Sequence, residues 1–196
     1  MLPQSRNYDD LIRQFRWQVP AQFNIGVAAC DRWADTEPGK LAIVAIDSSG
    51  RAQDISYGWL RDTSNRLANA LVANGIGRGD RVAILLPQTP EVAAIHIAVY
   101  KLGGIALPLA TLFGLEAIAY RLQNSGAKAL ITNAQGLAKI ASIRGELPDI
   151  GLVLSIDGPA EGALGFRETI ERASADFTPL ATAAPCGRIH FPIRYG

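Results

Sequence analysis

The sequence predicts an α/β fold, a layered sheet with flanking helices whose strands are largely parallel from about residue 81 onward. Aliphatic runs at 81–87, 127–132 and 150–157 lack polar alternation, which is typical of strands covered on both faces. Stretches with apolar residues at helical spacing separate these runs. Strands that alternate with helices in this way indicate βαβ units with right-handed crossovers.

The composition limits the classes of function. The chain has 196 residues, is 48% hydrophobic and 19% charged, and carries a formal net charge of +1. These values are ordinary for a soluble globular domain with a sizeable core. The 19 Lys and Arg residues are scattered, so we expect no nucleic-acid partner. The longest apolar run, 92–99, is too short to cross a bilayer, so we expect no membrane span.

The cysteines and the N-terminus bear on the compartment. Cys30 and Cys186 lie far apart, and no Cys or His partner has the spacing of a zinc site. We therefore predict no metal site and two free thiols in a reducing compartment. The N-terminal residues lack the apolar core of a secretory signal. These features together predict a cytoplasmic location.

The first part of the chain predicts a helix, a hairpin and a second helix. Val27, Cys30 and Trp33 have helical spacing within 23–35. The runs 41–47 and 51–57 flank a Ser-Ser-Gly turn and predict an antiparallel hairpin. Ser56 is placed to cap the next helix, and Gly75 to end it. That helix has one apolar face, formed by Leu60, Ser64, Leu67 and Leu71.

The second part predicts the repeating strand–helix units. Thr89 and Pro90 are placed as the cap and first residue of a helix that ends at Gly103 and Gly104. A strand at the edge of the sheet is predicted over 105–109. Further helices are predicted over 115–124, 136–144 and 166–173, between the aliphatic strands. The small residues and prolines of 175–185 indicate an exposed connection.

The glycines Gly75, Gly77 and Gly79 have the spacing of a phosphate-binding loop but the wrong context. A dinucleotide loop follows a strand and precedes a helix, so that the phosphates meet the helix N-terminus. Here the predicted helix comes first and the strand second. We therefore predict a tight turn, with Asp80 bonding the turn backbone.

No residue stands out as catalytic. His96 lies between two isoleucines on an apolar helix, which favours a hydrogen-bonded core residue over a general base or ligand. His190 has no partner at ligand spacing. Asp47 and Asp157 follow strands, where α/β sites gather, but each precedes a turn sequence, so turn formation is the simpler role. No serine lies in a nucleophile elbow, and no carboxylate pair has acid–base spacing.

Several motifs nevertheless resemble one family in order and spacing. They are ISYGWL at 55–60, RGDRVAILLPQTPE at 78–91, YKLGGIALPL at 100–109 and YRLQNSGAKALIT at 120–132. The stretch from about 23 to 185 resembles the large N-terminal, AMP-binding domain of AMP-forming acyl-CoA synthetases. The segments 23–35 and 110–132 are most similar to the medium-chain and acetyl-CoA synthetase branch.

The resemblance implies a ligase that activates a carboxylic acid, a small-molecule substrate, with ATP to an acyl-adenylate and then forms an acyl-CoA thioester. Its implied cofactors are ATP, Mg²⁺ and coenzyme A, and its implied setting is fatty acid metabolism. A Phe-Gly pair near the CoA nucleotide in that branch matches Phe113 and Gly114. Lys139 lies near the place where the branch carries basic residues toward the CoA phosphates, although a surface lysine is the simpler interpretation.

The resemblance stops near residue 185, where the tail 186–196 diverges. The family's phosphate loop, rich in Ser, Thr and Gly and ending in Lys-Gly, would follow residue 184 after a short strand, and the tail does not match it. We therefore expect 1–185 to be a partial N-terminal domain, truncated or frame-shifted, and inactive alone. The alternatives are a non-catalytic α/β interaction module and a different nucleotide-binding enzyme. We also expect exposed apolar surface and a tendency to self-associate.

Overall fold

A computed structural model describes residues 7–15, 20–47 and 49–183. Its helices are α1 (Tyr8–Gln14), α2 (Arg32–Thr36), α3 (Tyr57–Ala73), α4 (Pro90–Lys101), α5 (Leu115–Ser125), α6 (Ala134–Ile143) and α7 (Phe166–Glu171). Its strands are β1 (Gln22–Phe23), β2 (Leu41–Ile46), β3 (Ala52–Ser56), β4 (Arg81–Leu85), β5 (Ile105–Pro108), β6 (Ala129–Thr132), β7 (Leu152–Ser155), β8 (Leu164–Gly165) and β9 (Thr182–Ala183). A π-helical turn (Val27–Asp31) leads into α2. The predictions for Cys186, His190 and the 186–196 tail lie outside the described residues.

A five-stranded parallel sheet forms the centre of the fold, with strand order β5-β4-β6-β7-β8. Val82 of β4 lies opposite Ala106 of β5 on one side and Ala129 of β6 on the other. After β5 the chain therefore crosses back past β4, and the strand order reverses. In open α/β sheets a crevice forms outside the carboxyl ends of the strands at such a reversal. The predicted α/β class and parallel arrangement are confirmed.

Helices cover both faces of this sheet because apolar residues fill both sides of its strands. Along β4, Val82 and Ile84 belong to a buried cluster shared with α3 and α4. Ala83 and Leu85 belong to a second cluster shared with α5 and α6. Each fully buried aliphatic side chain of this size contributes about 1.5–3 kcal/mol. The continuous aliphatic runs of β4, β6 and β7 thus explain why helices pack on both faces of the sheet.

The predicted hairpin and the helix after it are both present. β2 and β3 pair antiparallel, with Val44 opposite Asp54. The hydroxyl of Ser56 accepts a hydrogen bond from the amide of Trp59 at 3.1 Å and so caps α3. The predicted apolar face of α3 is buried along its length. Thr89 and Pro90 begin α4 as predicted, although the Thr89 hydroxyl makes no capping hydrogen bond.

The glycine-rich turn lies at the amino edge of the sheet. Gly75 and Gly79 have φ values of 77° and 80°, which side-chain-bearing residues rarely adopt. The carboxylate of Asp80 accepts a hydrogen bond from the amide of Gly77 at 2.8 Å. The turn joins α3 to β4 on the side away from the crevice, so the tight-turn interpretation is confirmed.

The N-terminal helical segment differs from the simple helix predicted for 23–35. It is wound as a π-helical turn before α2, and Gly26, which precedes that turn, approaches α4 closely. A Cβ on Gly26 would lie 2.9 Å from the carbonyl oxygen of Ile97 and 2.9 Å from Cγ of Lys101. Cys30 is buried as predicted, but Trp33 is 45% exposed. None of the helices within 7–15, 20–47 and 49–183 is long and apolar enough to cross a membrane.

Candidate functional site

An open cleft of about 1480 Å³ lies at the carboxyl edge of the sheet. One wall is the β2–β3 hairpin, and the other is formed by the residues that follow β4 and β5. The α4 N-terminus and the helix face carrying His96 close its base. Its wall residues include Val44, Ile46, Leu86, Thr89, His96 and Leu112. The cleft thus coincides with the crevice that the strand order predicts.

The polar groups at the base of the cleft are few. Nδ1 of His96 lies 3.1 Å from the hydroxyl of Tyr100, one helical turn away. Burial lowers the pKa of His96, so its imidazole is neutral at physiological pH. Within the described part of the chain, the buried hydroxyl of Thr89 has no hydrogen-bond partner. His96 is hydrogen-bonded as predicted, but it faces the cleft rather than a sealed core.

The acidic residues that follow strands serve their own turns. The carboxylate of Asp47 accepts hydrogen bonds from the hydroxyl of Ser49 at 2.6 Å and from the amide of Arg51 at 3.0 Å. The Ser49 hydroxyl is the main cause that lowers the pKa of Asp47. Asp157 accepts from the amide of Ala134 at 2.9 Å and so caps α6. The predicted turn role of Asp47 is confirmed, and Asp157 serves the start of a helix.

Phe113 and Gly114 follow the cleft-lining residues 108–112 and lie directly before α5, outside the lining itself. We call residues 110–114 the rim loop. The ammonium nitrogen of Lys139 on α6 lies 2.6 Å from the carbonyl oxygen of Thr111 and 3.0 Å from that of Phe113. The guanidinium of Arg121 lies 4.2 Å from the centre of the Phe113 ring. Two cations therefore hold this rim loop, one through its carbonyls and one through its aromatic ring.

Gly114 presents an open backbone surface. It occupies the N-cap position of α5 with extended backbone angles, and α5 has no side-chain cap. A Cβ at Gly114 would meet no atom within 4 Å, so packing within the chain does not require a glycine here. Amide groups at a helix start favour a polar or anionic ligand, although the Glu116 carboxylate in the first turn opposes an anion. The backbone at the start of α5 is therefore exposed.

The described residues do not form a centre for metal or triphosphate binding. No group of three metal-ligating side chains occurs within the described ranges. Arg51 is the cation that lines the cleft, and its side chain is 84% exposed and paired with Asp47 at 3.4 Å. These residues therefore do not fit a magnesium–triphosphate site.

The family model described as AMP-binding enzyme matches residues 30–186. This match covers most of the chain, including the sheet, the cleft and the rim loop. The chain belongs to the AMP-binding enzyme family. The predicted resemblance to acyl-CoA synthetases is therefore confirmed at the level of the family.

Proteins similar to this chain include acyl-CoA and acetyl-CoA synthetases. Human mitochondrial acyl-coenzyme A synthetase ACSM2A is 31% identical over 164 residues, covering 80% of this chain and 28% of the relative. Acetyl-coenzyme A synthetase of Bacillus subtilis is 30% identical over 186 residues, covering 89% of this chain and 32% of the relative. A crystal structure of an acyl-CoA synthetase from Brucella canis has a TM-score of 0.80 at 32% identity, covering 90% of this chain and 34% of that one. The chain thus spans about a third of the length of these proteins.

Sequence reasoning missed the partners that hold the rim loop. Arg121 lies two helical turns after Phe113 on the helix that the loop leads into. Lys139 lies on the next helix, so the packing of α6 beside the loop brings it there. Lys139 was interpreted as a surface lysine, but its ammonium group bonds two carbonyls. No local motif signals either contact. The Phe-Gly pair itself was found through the resemblance to the family.

Proposed function

We propose that this chain forms the first part of the N-terminal domain of an acid–CoA ligase, the part that carries the CoA side of the active site. The observation that carries the proposal is the family match over 30–186 together with an open cleft at the carboxyl edge of the sheet. The reaction proposed for the whole ligase joins a small carboxylic acid to coenzyme A, with ATP activating the acid as an acyl-adenylate.

On this proposal Phe113 and Gly114 contact coenzyme A. Support comes from the open backbone at Gly114 and from the two cations that fix the loop. The phosphates of coenzyme A would approach the amides at the start of α5, where the helix dipole favours negative charge. Lys139 would orient the loop, since its ammonium protons are directed to the carbonyls of Thr111 and Phe113.

We propose that ATP and Mg²⁺ are bound mainly outside residues 1–185, which would form a partial domain, with 186–196 as a divergent tail. Metal-bound phosphate groups need backbone donors and cations around them, and among the described cleft-lining residues the cation is Arg51, which is 84% exposed and paired with Asp47. The relatives are about three times as long, which leaves room for those groups elsewhere in the family's architecture. The chain by itself would then support no turnover.

Pyrophosphate release tests the catalytic part of this proposal. The chain is mixed with ATP, Mg²⁺ and a panel of short-, medium-chain and aromatic acids. We expect no acid-dependent release above a protein-free control. Acid-dependent release that saturates with acid concentration would show that the chain carries a complete active site. It would overturn the proposal that ATP and Mg²⁺ are bound mainly outside residues 1–185.

A second candidate function, a non-catalytic interaction module, is favoured by exposed apolar residues that line the cleft. Leu112 is 94% exposed, Ile46 is 70% exposed and Val44 is 50% exposed. Monomeric proteins rarely leave contiguous apolar surface of this kind uncovered. We propose that this surface also drives self-association, which sedimentation of the chain over a range of micromolar concentrations would reveal. A single monomeric species throughout would contradict it.

The compartment proposed for this protein is the cytoplasm. Its support is the buried free thiol of Cys30, which suits a reducing environment. Fractionation of cells that express the protein, followed by detection with an antibody, would test this directly. Recovery in a membrane-enclosed organelle would contradict it.

A further inference from the structure

A buried ammonium group organises the side of the domain away from the cleft. Lys101, at the end of α4, has no exposed surface. Its ammonium nitrogen lies 2.6 Å from a carboxylate oxygen of Asp31, 2.9 Å from the hydroxyl of Ser64 and 2.7 Å from the amide oxygen of Asn65. The ammonium donates hydrogen bonds to Ser64 and Asn65, whereas its contact with Asp31 is an ion pair without hydrogen-bond geometry.

Asn65 extends this network to a distant part of the chain. While its amide oxygen accepts from Lys101, its amide nitrogen donates to the carbonyl of Ala175 at 2.8 Å. Asn65 is itself buried. It therefore links the ion pair of Lys101 and Asp31 to the segment 173–183, which we call the strap.

Other side chains hold the strap in the same manner. Asn69 donates to the carbonyls of Ser174 and Asp176, each at 2.8 Å. Arg66 donates to the carbonyl of Ala173 at 2.6 Å. Because the acceptors are backbone carbonyls, these contacts depend on the path of the strap rather than on its sequence.

The far end of the strap is tied to α4 and to the N-terminal segment. The amide of Leu180 donates to the backbone carbonyl of Lys101 at 2.8 Å. The side-chain amide of Asn24 donates to the carbonyls of Tyr100 and Leu180, at 2.9 Å and 2.8 Å. β9 then pairs with β1.

Few apolar contacts hold the strap. Phe177 is partly buried against the main core, whereas Leu180 is 39% exposed. A segment with little buried apolar surface opens locally at lower cost than the sheet beneath it. The side-chain hydrogen bonds are therefore the main determinants of where the strap lies.

We propose that Lys101 is the positioning residue of a latch. Through Asn65, its buried ammonium group fixes the path of the strap across the domain. Releasing the network frees the strap while the parallel sheet stays folded. This inference goes beyond the proposed function and holds whether or not the protein is a ligase.

Residue-resolved amide hydrogen exchange on the 196-residue chain tests the latch. The first variant is Asn65→Ala, and the second is the double variant Lys101→Met/Asp31→Asn, which removes both charges so that neither is left buried alone. Neither variant alters the backbone carbonyl that accepts from Leu180. The matched control is Asn74→Ala, an Asn just past the same helix whose side chain donates only to the carbonyl of Ala70, at 2.8 Å.

In both test variants we expect the amides of Leu180 and Asp176 to exchange roughly tenfold faster, with the amides of β4 and β6 unchanged. Asn74→Ala should leave the strap at its original rate. Unchanged exchange at Leu180 and Asp176 in the double variant would overturn the latch. A uniform rise across the strap, β4 and β6 would also overturn it, because the network would then act only on global stability.

Discussion

The ammonium nitrogen of Lys139 lies 3.0 Å from the backbone carbonyl oxygen of Phe113, so a side chain of α6 fixes the loop that leads into α5. The same nitrogen lies 2.6 Å from the carbonyl of Thr111. The rim loop is thus held by a side chain of α6 that lies 26 to 28 residues later in the sequence. A substitution at Lys139 should therefore change the position of this loop even if Lys139 contacts no ligand.

Lys139→Met should loosen the rim loop without unfolding the domain. The substitution removes two charge-assisted hydrogen bonds at a partly exposed site, so we expect a loss of about 1–2 kcal/mol in local stability. Exchange of the Phe113 amide, which donates to the carbonyl of Ala110, should rise accordingly. Ser142→Ala on the same helix serves as the control, because its hydroxyl bonds only the carbonyl of Lys139. Equal exchange of the Phe113 amide in wild type and Lys139→Met would refute the contact.

Lys101→Met alone should be strongly destabilising. It leaves the Asp31 carboxylate, which is 13% exposed, without its cation, and loss of one partner of a buried pair costs about 3–5 kcal/mol. Urea denaturation followed by circular dichroism measures the change. Lys128→Met is the control, because Lys128 is 49% exposed whereas Lys101 is fully buried. Asp80, which is 15% exposed, keeps the hydrogen bond from the amide of Gly77, so we expect a loss of less than about 1 kcal/mol. Similar losses in the free energy of unfolding in the two variants would show that the Lys101–Asp31 pair stabilises the domain no more than an exposed ion pair does.

The thiol of Cys30 should be unreactive at neutral pH and should make stability fall in alkaline solution. Burial is the main cause that raises its pKa from 9.0 to about 11, and the nearby Lys101 opposes this rise. The folded state therefore keeps a proton that the unfolded state releases. This stabilisation is fully present below pH 9.0 and is lost as the pH rises toward about 11.

Alkylation by iodoacetamide measures this protection in a Cys186→Ser background, which leaves Cys30 as the target. At pH 8 the smaller thiolate fraction alone slows the reaction about 100-fold relative to the chain in urea. A native-state rate close to the rate in urea would contradict a buried, neutral thiol.

Gly136→Ala should destabilise the domain because there is no room for a side chain. An added Cβ would overlap the hydroxyl of Thr132, which is buried and donates to the carbonyl of Leu85 at 2.8 Å. Overpacking of this kind typically costs about 1–3 kcal/mol. Gly145→Ala is the control, since a Cβ there would meet nothing within 4 Å. Thermal unfolding of both variants provides the comparison, and equal melting temperatures would contradict the expected clash.

Much of the fold could be predicted because its signals are local. The aliphatic runs of β4 and β6 are typical of strands covered on both faces. Ser56 caps the start of α3 with its hydroxyl, and Gly126 ends α5 in a left-handed conformation. The path of residues 173–183 was less predictable. Its prolines and small residues indicate a connection, but the side chains of Asn65 and Asn69 that hold it lie more than a hundred residues earlier.

In the candidate site, too, some features could be predicted from the sequence and others depend on tertiary contacts. Phe113 and Gly114 were identified through a resemblance between motifs, whereas no spacing rule brings Lys139 or Arg121 to them. The buried state of Lys101 was also not predictable from its position. A lysine at a helix end usually reaches solvent, and only the approach of the 27–31 turn encloses it with Asp31.

Titration of the isotope-labelled chain with coenzyme A, followed by amide NMR, tests most directly whether this domain carries the CoA side of an acid–CoA ligase. Adenosine 3′,5′-bisphosphate serves as the nucleotide half alone, and Lys139→Met as the variant with a loosened rim. We expect saturable shifts centred on Phe113, Gly114 and the first turn of α5, with weaker binding in the variant. Saturable shifts confined to another surface, or no saturable shift at millimolar coenzyme A, would contradict the assignment.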